Sequence, residues 1–426
     1  MAGAPLFARN HTHSRARRIP RDCKTPHDFV RLLFPDSHVD DIVRSTNAAA
    51  TSHPRLKDQL RFANWKPCTS EEVVVFLAIT VFLGVVKIQN RKVIWKRDSV
   101  FHQPWVSRVM TLRRFECLLN AFNCCNYWNL SDQEYAEKNA QNCFWQIDAF
   151  VQECNRRCAF HFQMGRLFSI DEAVIPWKGR HRARCYNPKK PAKYHLKKFS
   201  LNCASTGYVY CHYHYAGKDE RRPANVSASL WPIKKLVDQC PSLFEKSHVC
   251  ATDNWYSSAQ ALVYLRNKGI HFVGTIKKGR LAVQSASRSG FPVAATFKNF
   301  RGQPKHARAA CMIHSTVVEG HAAYVTSWQD KKPVILLSSY PPSAGDCLRK
   351  VKVGHAWTQQ RFFRPSVIRH YNRSMGGTDL HDQHLAIIRS TVKSRRWQVR
   401  LCCMSSLRFV TLSSPACSRT CFQACC

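Results

Sequence analysis

The chain has 426 residues, room for about two to four domains at roughly 100–200 residues each. Its 65 Lys and Arg against 27 Asp and Glu give a formal charge of +38, a self-repulsion that calls for a polyanion or an acidic membrane as partner. The 45% hydrophobic content excludes a largely disordered chain, and the longest apolar run, the 14 residues Val73–Val86, falls short of the roughly 20 that span a bilayer.

In chain order, residues 1–24 read as a basic, disordered arm. The opening "MAGAPLFARNHTHSRARRIPR" has no apolar segment long enough for secretion. Without an export signal, the 21 cysteines are expected as thiols in a reducing compartment. A basic intracellular protein points to nucleic acid, and for DNA to the nucleus.

Residues 25–165 read as an all-helical domain. "DFVRLLF", "DDIVRSTNAA", "RRFECLLNAFN" and "FWQIDAFVQECNRRCAFHF" repeat apolar residues at intervals of three and four. Thr69 and Glu72 form a capping-box pair ahead of the apolar run, which reads as a buried helix.

The pattern changes near 166. "RLFSID" is short and strand-like, and "KKFSLNCAS" and "GYVYCHYHYAGK" follow as in an antiparallel meander. "SLWPIKKLVDQC" is a helix and "HVCATD" a strand ending in Asp253. "SSAQALVYLRNKG" is a helix with a Ser257/Gln260 capping box and Gly269 as its stop, and "IHFVGTI" is a strand. Three meandering strands, then helix, strand, helix and strand, give the order of an RNase H-like core. The fold class expected is therefore α+β. Residues 166–278 form the first part of that core. Residues 279–365 are an inserted β-rich module with one hairpin turning at Asp330–Lys332. Residues 366–390 carry the core's final helix, and 391–426 are a tail.

Three acids sit at matching points of this plan. Asp171 ends the first core strand and Asp253 ends the fourth, its expected neighbour. In "GGTDLHDQH" the glycines break the chain, Thr378 can cap a helix, and Asp379 and Asp382 share one helical face. Carboxylates meeting at one sheet edge repel unless a cation joins them, and hard oxygen ligands suit Mg²⁺ or Mn²⁺. A two-metal site of that kind serves phosphodiester chemistry. Glu172, adjacent to Asp171, points to the other face of its strand.

A basic wall follows. "KGRHRARCYNPKKPAKYHLKK" holds Lys178, Arg180, Arg182, Arg184, Lys189, Lys190, Lys193, Lys197 and Lys198, all nominated as DNA contacts. After Asp382 the chain has seven Lys and Arg and no carboxylate. Lys393, Arg395 and Arg396 there are nominated too, with Trp397 either stacking on an unpaired base or filling a helix core face. His212 and His214 lack further ligands at zinc spacing, and Cys417, Cys421, Cys425 and Cys426 lack C-x-x-C pairs, so zinc is not expected.

At these residues the chain resembles the piggyBac transposase family. The likeness rests on "SIDEAVIPWKGR" with "CYNPKKPAKYHLK", on "ATDNWYSSAQALVYLRNKGIHFVGTIKKGR", and on "YNRSMGGTDLHDQHLAIIRSTVKSRRW". It spans roughly residues 25–405. It implies a cut-and-paste DNA transposase in which Asp171, Asp253 and Asp379 hold the metals and Asp382 is a further acid. It further implies a hairpin on the element's end, assisted at the position of Trp397, joining at TTAA targets in double-stranded DNA, and a homodimer formed through the helical domain, with no membrane partner. Family members usually continue past "SRRW" with more helices and a cysteine-rich zinc domain. Here "LCCMSSLRFVTLSSPACSRTCFQACC" follows, so a C-terminally truncated member is expected. Three alternatives stay open: an active or recently active transposase, a domesticated DNA-binding protein on the same scaffold, and an RNase H-like nuclease of unrelated role.

Overall fold

The computed structural model describes residues 14–402, apart from 26–27, 29–30, 33, 53–55, 57–58, 60–61, 89, 283–290, 293–307, 389–393 and 395. Residues 36–161 are the N-terminal helical part of the described chain. Helices α1 (Asp36–Ser52), α2 (Ser70–Val86), α3 (Pro104–Val109), α4 (Leu112–Ala121), α5 (Asp132–Gln141) and α6 (Trp145–His161) precede the sheet. Helix α2 is the apolar run. Thr69 caps it in the expected box with Glu72, and Val73, Phe76, Ile79 and Leu83 bury one side. Glu72 has a second task. Both its oxygens accept from Arg114, at 2.9 and 2.7 Å, which ties α4 to the start of α2.

The strands of the main sheet are β1 (Leu167–Pro176), β2 (Cys185–Tyr186), β3 (Tyr194–Cys203), β4 (Val209–His214), β5 (Val249–Thr252), β6 (His271–Thr275), β7 (Cys311–Val318), β8 (His321–Gln329) and β9 (Pro333–Ser338). They form one nine-stranded sheet in the order β7-β8-β9-β6-β5-β1-β3-β2, with β4 also on β3. The meander β1, β3, β4 is antiparallel, while β1, β5 and β6 are parallel neighbours. Two helices make the crossovers, α7 (Trp231–Val237) before β5 and α8 (Ala259–Asn267) before β6. Helix α8 is capped one residue later than its sequence suggests. Ser258 accepts from the Ala261 amide, while Gln260 reaches across to Asn225. Gly269, at φ +69°, takes the left-handed turn that stops it.

Residues 311–338 do not stand apart as an inserted module. Strand β9 pairs with β6 through Leu336–Thr275 to Ser338–Val273, so β7–β9 extend the same sheet. Beyond them β10 (Asp346–Val353) and β11 (Ala356–Phe363) pair, among the described residues, only with each other. The chain then returns through α9 (Ser366–Ser374) and α10 (Gly377–Ile388), both packed on the sheet.

One apolar cluster runs from Phe34 and the α2 side chains through the sheet to Leu401 and Cys402, so helices and sheet share a core. Residues 396–402, grouped with the tail in sequence, pack back on the helical region. Arg396 donates to the Asn120 carbonyl and to Asn123, and Gln398 donates to Gln146. Residues 403–426, with the four terminal cysteines, lie outside the described part.

Candidate active site

Strand β1 separates its side chains onto two faces. Ser169, Asp171, Ala173 and Ile175 share one face; Glu172 and Val174 share the other. Asp171 stands within the strand, not at its end. It does stand where the parallel partner ends. The β1–β5 ladder stops at Ile170–Thr252, whereas β1–β3 pairing continues to Pro176. Asp253 follows β5 directly, so both carboxylates lie where the sheet opens.

The Asp253 loop is held from three directions. Its Oδ1 accepts from the Trp255 amide at 2.8 Å and the Tyr256 amide at 3.4 Å. Arg280 donates to the Ser257 and Trp255 carbonyls at 2.5 and 2.8 Å. Gly274 on β6 permits the approach, since a Cβ there would stand 2.1 Å from Ser257 Oγ and 2.8 Å from the Thr252 carbonyl.

The third acid arrives on α10. Gly377 begins this helix, and a Cβ on it would stand 2.8 Å from Ser169 Oγ and 2.9 Å from the Cys203 carbonyl. Only glycine brings the helix start so close to β1 and β3. Thr378 lies buried inside the first turn and is not its cap. Asp379, one residue on, is exposed in that turn, and Asp382 is half-buried on the next.

Electrostatics record the convergence. The Asp171 carboxyl is pushed up to about 7, chiefly by burial, with the nearby charges of Asp253, Glu172 and Asp379 adding to it. The Glu172 amide, 2.7 Å from Asp171 Oδ1, works against the rise. Tyr371 on α9 feels the same three aspartates. Burial raises its phenol, Thr275 opposes, and Asp253, Asp171 and Asp379 add to the rise. The Tyr256 phenol is raised by burial and by Asp171, Glu172 and Asp253, and its hydroxyl has no hydrogen-bond partner among the described residues. Neither tyrosine stands out in the sequence. Tyr371 lies eight residues before Asp379, on the preceding helix, but nothing in its neighbours marks it.

The same face is polar at depth. Ser169 Oγ, Ser200 Oγ, both Asn202 amide atoms and Thr378 Oγ1 are buried without partners among the described residues. Ser200 is the direct cross-strand neighbour of Asp171. Among the described residues no three carboxylate, imidazole or thiol groups close into a ready metal set. The acids therefore converge without touching. The donor chemistry nevertheless fits a divalent cation: hard oxygens only, and a carboxyl made reluctant to ionise by burial and by its like-charged neighbours.

The basic residues divide. Lys178, Arg180, Arg182, Arg184, Lys189 and Lys193 are exposed, and Lys190 is half-buried. Arg182 donates to the Asn139 and Ala140 carbonyls at the end of α5, and Arg184 to those of Lys178 and Gly179. Three nominations need correction as surface phosphate contacts. Lys197 is engaged by Glu172 at 2.9 Å and boxed by aromatic rings. Lys198 is only 5% exposed, because its strand position faces inward. Arg396 is enclosed by its Asn120 and Asn123 bonds, and burial lowers its pKa. Trp397 packs edge-on against His181 at 4.8 Å and Phe144 at 5.5 Å, half-buried at the core margin. Lys393 and Arg395 lie outside the described residues.

His212 and His214 are buried on β4, their rings 5.4 Å apart and edge to face. Neither belongs to a metal-like cluster among the described residues. Among those residues, no helix is long and apolar enough to cross a membrane.

Comparisons with known proteins show the family and the fold. PiggyBac transposable element-derived protein 3 of Homo sapiens is 24% identical over 383 residues, covering 88% of this chain and 58% of its own length. PiggyBac transposable element-derived protein 2 of Homo sapiens is 20% identical over 378 residues, with the same coverage of each. The chain thus spans a little over half of these relatives. The piggyBac transposase, solved as a synaptic complex with hairpin DNA, superposes with a TM-score of 0.72 at 21% identity. That match covers 95% of this chain and 78% of the solved one, and shows a shared α+β fold. The family model described as Transposase IS4 matches residues 25–409, and the chain belongs to that family, in its piggyBac branch.

Proposed function

We propose that this chain is a metal-dependent DNA-cleaving and strand-transferring enzyme of piggyBac type, acting in the nucleus on double-stranded DNA. What supports the reading is the placement of Asp171 and Asp253 where β1 parts from β5, with Asp379 near enough to add to the rise of the Asp171 carboxyl. An RNase H-like core is supported by the strand order, with β1 between an antiparallel and a parallel neighbour. The helices of residues 25–165 are read as the dimerisation and DNA-binding region.

Asp171, Asp253 and Asp379 would hold Mg²⁺ or Mn²⁺, with Asp382 as a further acid. Two such ions, when bound, supply the Lewis acidity for in-line attack on a phosphodiester. The protein's own groups do the rest. Asp253 keeps one oxygen on the Trp255 and Tyr256 amides, which holds its carboxylate at the end of β5. Asp171, raised to about 7, is only partly ionised near neutral pH, and positive charge beside it would favour its ionised form. Lys178, Arg180, Lys189 and Lys193 offer exposed cations to phosphates along the extension of β1 and β3 past Asp171. By family resemblance the cut ends form hairpins and join at TTAA targets, with Trp397 near that step.

The test is nicking of a pre-assembled DNA end substrate by the purified chain with Mg²⁺, Asp171→Asn serving as control. Cleavage lost in that variant is expected. Tight DNA binding by wild type with no cleavage would sink the enzyme reading and favour the second one, a DNA-binding protein that does not transpose. That second reading draws on the human relatives, whose names describe them as element-derived.

A further inference from the structure

Strands β10 and β11 form a ribbon joined by the two-residue turn Gly354–His355, with Gly354 at φ +59°. A lone two-stranded ribbon is marginal in water unless something covers it. Its base is covered on one face. Trp328 Nε1 donates to the Phe363 carbonyl at 2.8 Å, and Cys347 and Phe362 pack in the cluster around Trp328. Asp330 accepts from Arg308 and Arg349 at 3.0 and 3.1 Å, which uses up the cations of that side.

Among the described residues, nothing covers the opposite face. The pairs Leu348–Arg361, Lys350–Gln359 and Lys352–Trp357 place six side chains on it, and all six are exposed. Trp357 is 68% and Leu348 57% exposed, high values for large apolar groups. The ribbon's one carboxylate, Asp346, is bound to Arg361 at 3.1 Å. Lys350 and Lys352 stand on this face with no acid opposite them.

We propose that this face of the ribbon is a docking surface for duplex DNA lying outside the reacting bond. The inference rests on the proposed function and adds a contact that the acid site does not make. Charge selects the partner: a second copy of a chain at +38 would bring like charges together here, whereas a phosphate backbone complements them. Shape agrees, since a two-stranded ribbon fits the major groove of B-form DNA. Position agrees as well. The ribbon leads directly into α9, which carries Tyr371 beside the acids, so DNA gripped here is held by an element continuous with the site.

The experiment measures binding of the full chain to a short fluorescent duplex by anisotropy, without divalent metal, across a series of salt concentrations. Lys350→Gln with Lys352→Gln should lower the slope of log Kd against log salt by about 2, roughly one for each phosphate no longer neutralised. The double Lys→Arg exchange should keep the wild-type slope, which separates lost charge from damaged folding. Trp357→Ala should weaken binding with the slope unchanged. Wild-type affinity and slope in the Gln and Ala variants, beside a wild type that binds and nicks DNA, would overturn the ribbon proposal alone. A change in sedimentation of those variants with DNA affinity unaltered would assign the face to self-association and overturn it too. A wild type that binds no duplex would overturn both this proposal and the function it rests on.

Discussion

The Glu172 carboxylate lies 2.9 Å from Lys197 Nζ, on the face of β1 turned away from Asp171. The ammonium also sits 4.8 Å from the Phe199 ring, 5.1 Å from Tyr215 and 5.5 Å from Trp255. Two adjacent acids thus serve opposite sides of one sheet. Glu172 neutralises a cation caged by aromatic rings, and Asp171 faces the other acids. Glu172→Gln removes the pair's charge and leaves Lys197 half-buried without its counter-ion. A loss of about 1–3 kcal/mol in urea unfolding is expected. The same change removes one of the charges that raise Asp171, so the Asp171 pKa should fall when followed by carboxylate NMR.

Asp171 links stability to pH. Its folded pKa of about 7 exceeds the unfolded value of roughly 3.9. The folded state therefore binds the proton more tightly. That contribution is fully present below pH of about 4 and is lost as pH rises to about 7. Metal-free Asp171→Asn should melt above wild type at pH 8, by an amount on the order of 3 kcal/mol, with the gap closing toward pH 4. Mg²⁺ should raise the melting temperature of wild type and not of the variant. Equal pH profiles for the two proteins would contradict the burial of this carboxyl among like charges.

Gly377 sets the position of Asp379. Gly377→Ala places a methyl 2.8 Å from Ser169 Oγ and 2.9 Å from the Cys203 carbonyl. One contact is backbone and cannot rotate away, so α10 must shift. A cost of about 1–3 kcal/mol is expected, with weaker Mg²⁺ binding by calorimetry because Asp379 moves with the helix. Gly279→Ala is the control, since among the described residues nothing stands within 4 Å of a Cβ there.

Arg396 and Lys193 are equal candidates for phosphate binding in the sequence, and structure separates them. Arg396→Ala leaves the Asn120 carbonyl and Asn123 without their donor at a buried junction, so about 2–4 kcal/mol of stability should be lost. Lys193 is exposed, so Lys193→Ala should change stability by less than about 0.5 kcal/mol while weakening DNA binding at low salt. Reversed outcomes would return Arg396 to the phosphate surface.

Much of the site is legible locally. The capping box of α2 needs only Thr69 and Glu72 at the right spacing. The strand–helix–strand order around Asp253 needs only periodicity and turn residues. The acids can be matched to one another because strands of that order become neighbours. Legibility ends where burial depends on the far partner. Lys197 and Lys198 read alike in a run of cations, yet alternation along β3 sends one to an aromatic box and the other inward. Tyr371 and Tyr256 are silent because a phenol's role near acids depends on which elements fold over it.

The sequence by itself determined the capped apolar helix after Thr69, the meander and the strand–helix–strand order around Asp253, since helix caps, periodicity and chain breaks act within a few residues. Only the tertiary structure decided that β7–β9 extend the main sheet, that β10 and β11 stand out as a half-covered ribbon, and which cations remain at the surface. Those outcomes turn on pairings between residues tens to hundreds apart. Strand edges carry the same unpaired amides and carbonyls whichever partner they meet, and a charged side chain has no burial until the chain has closed around it.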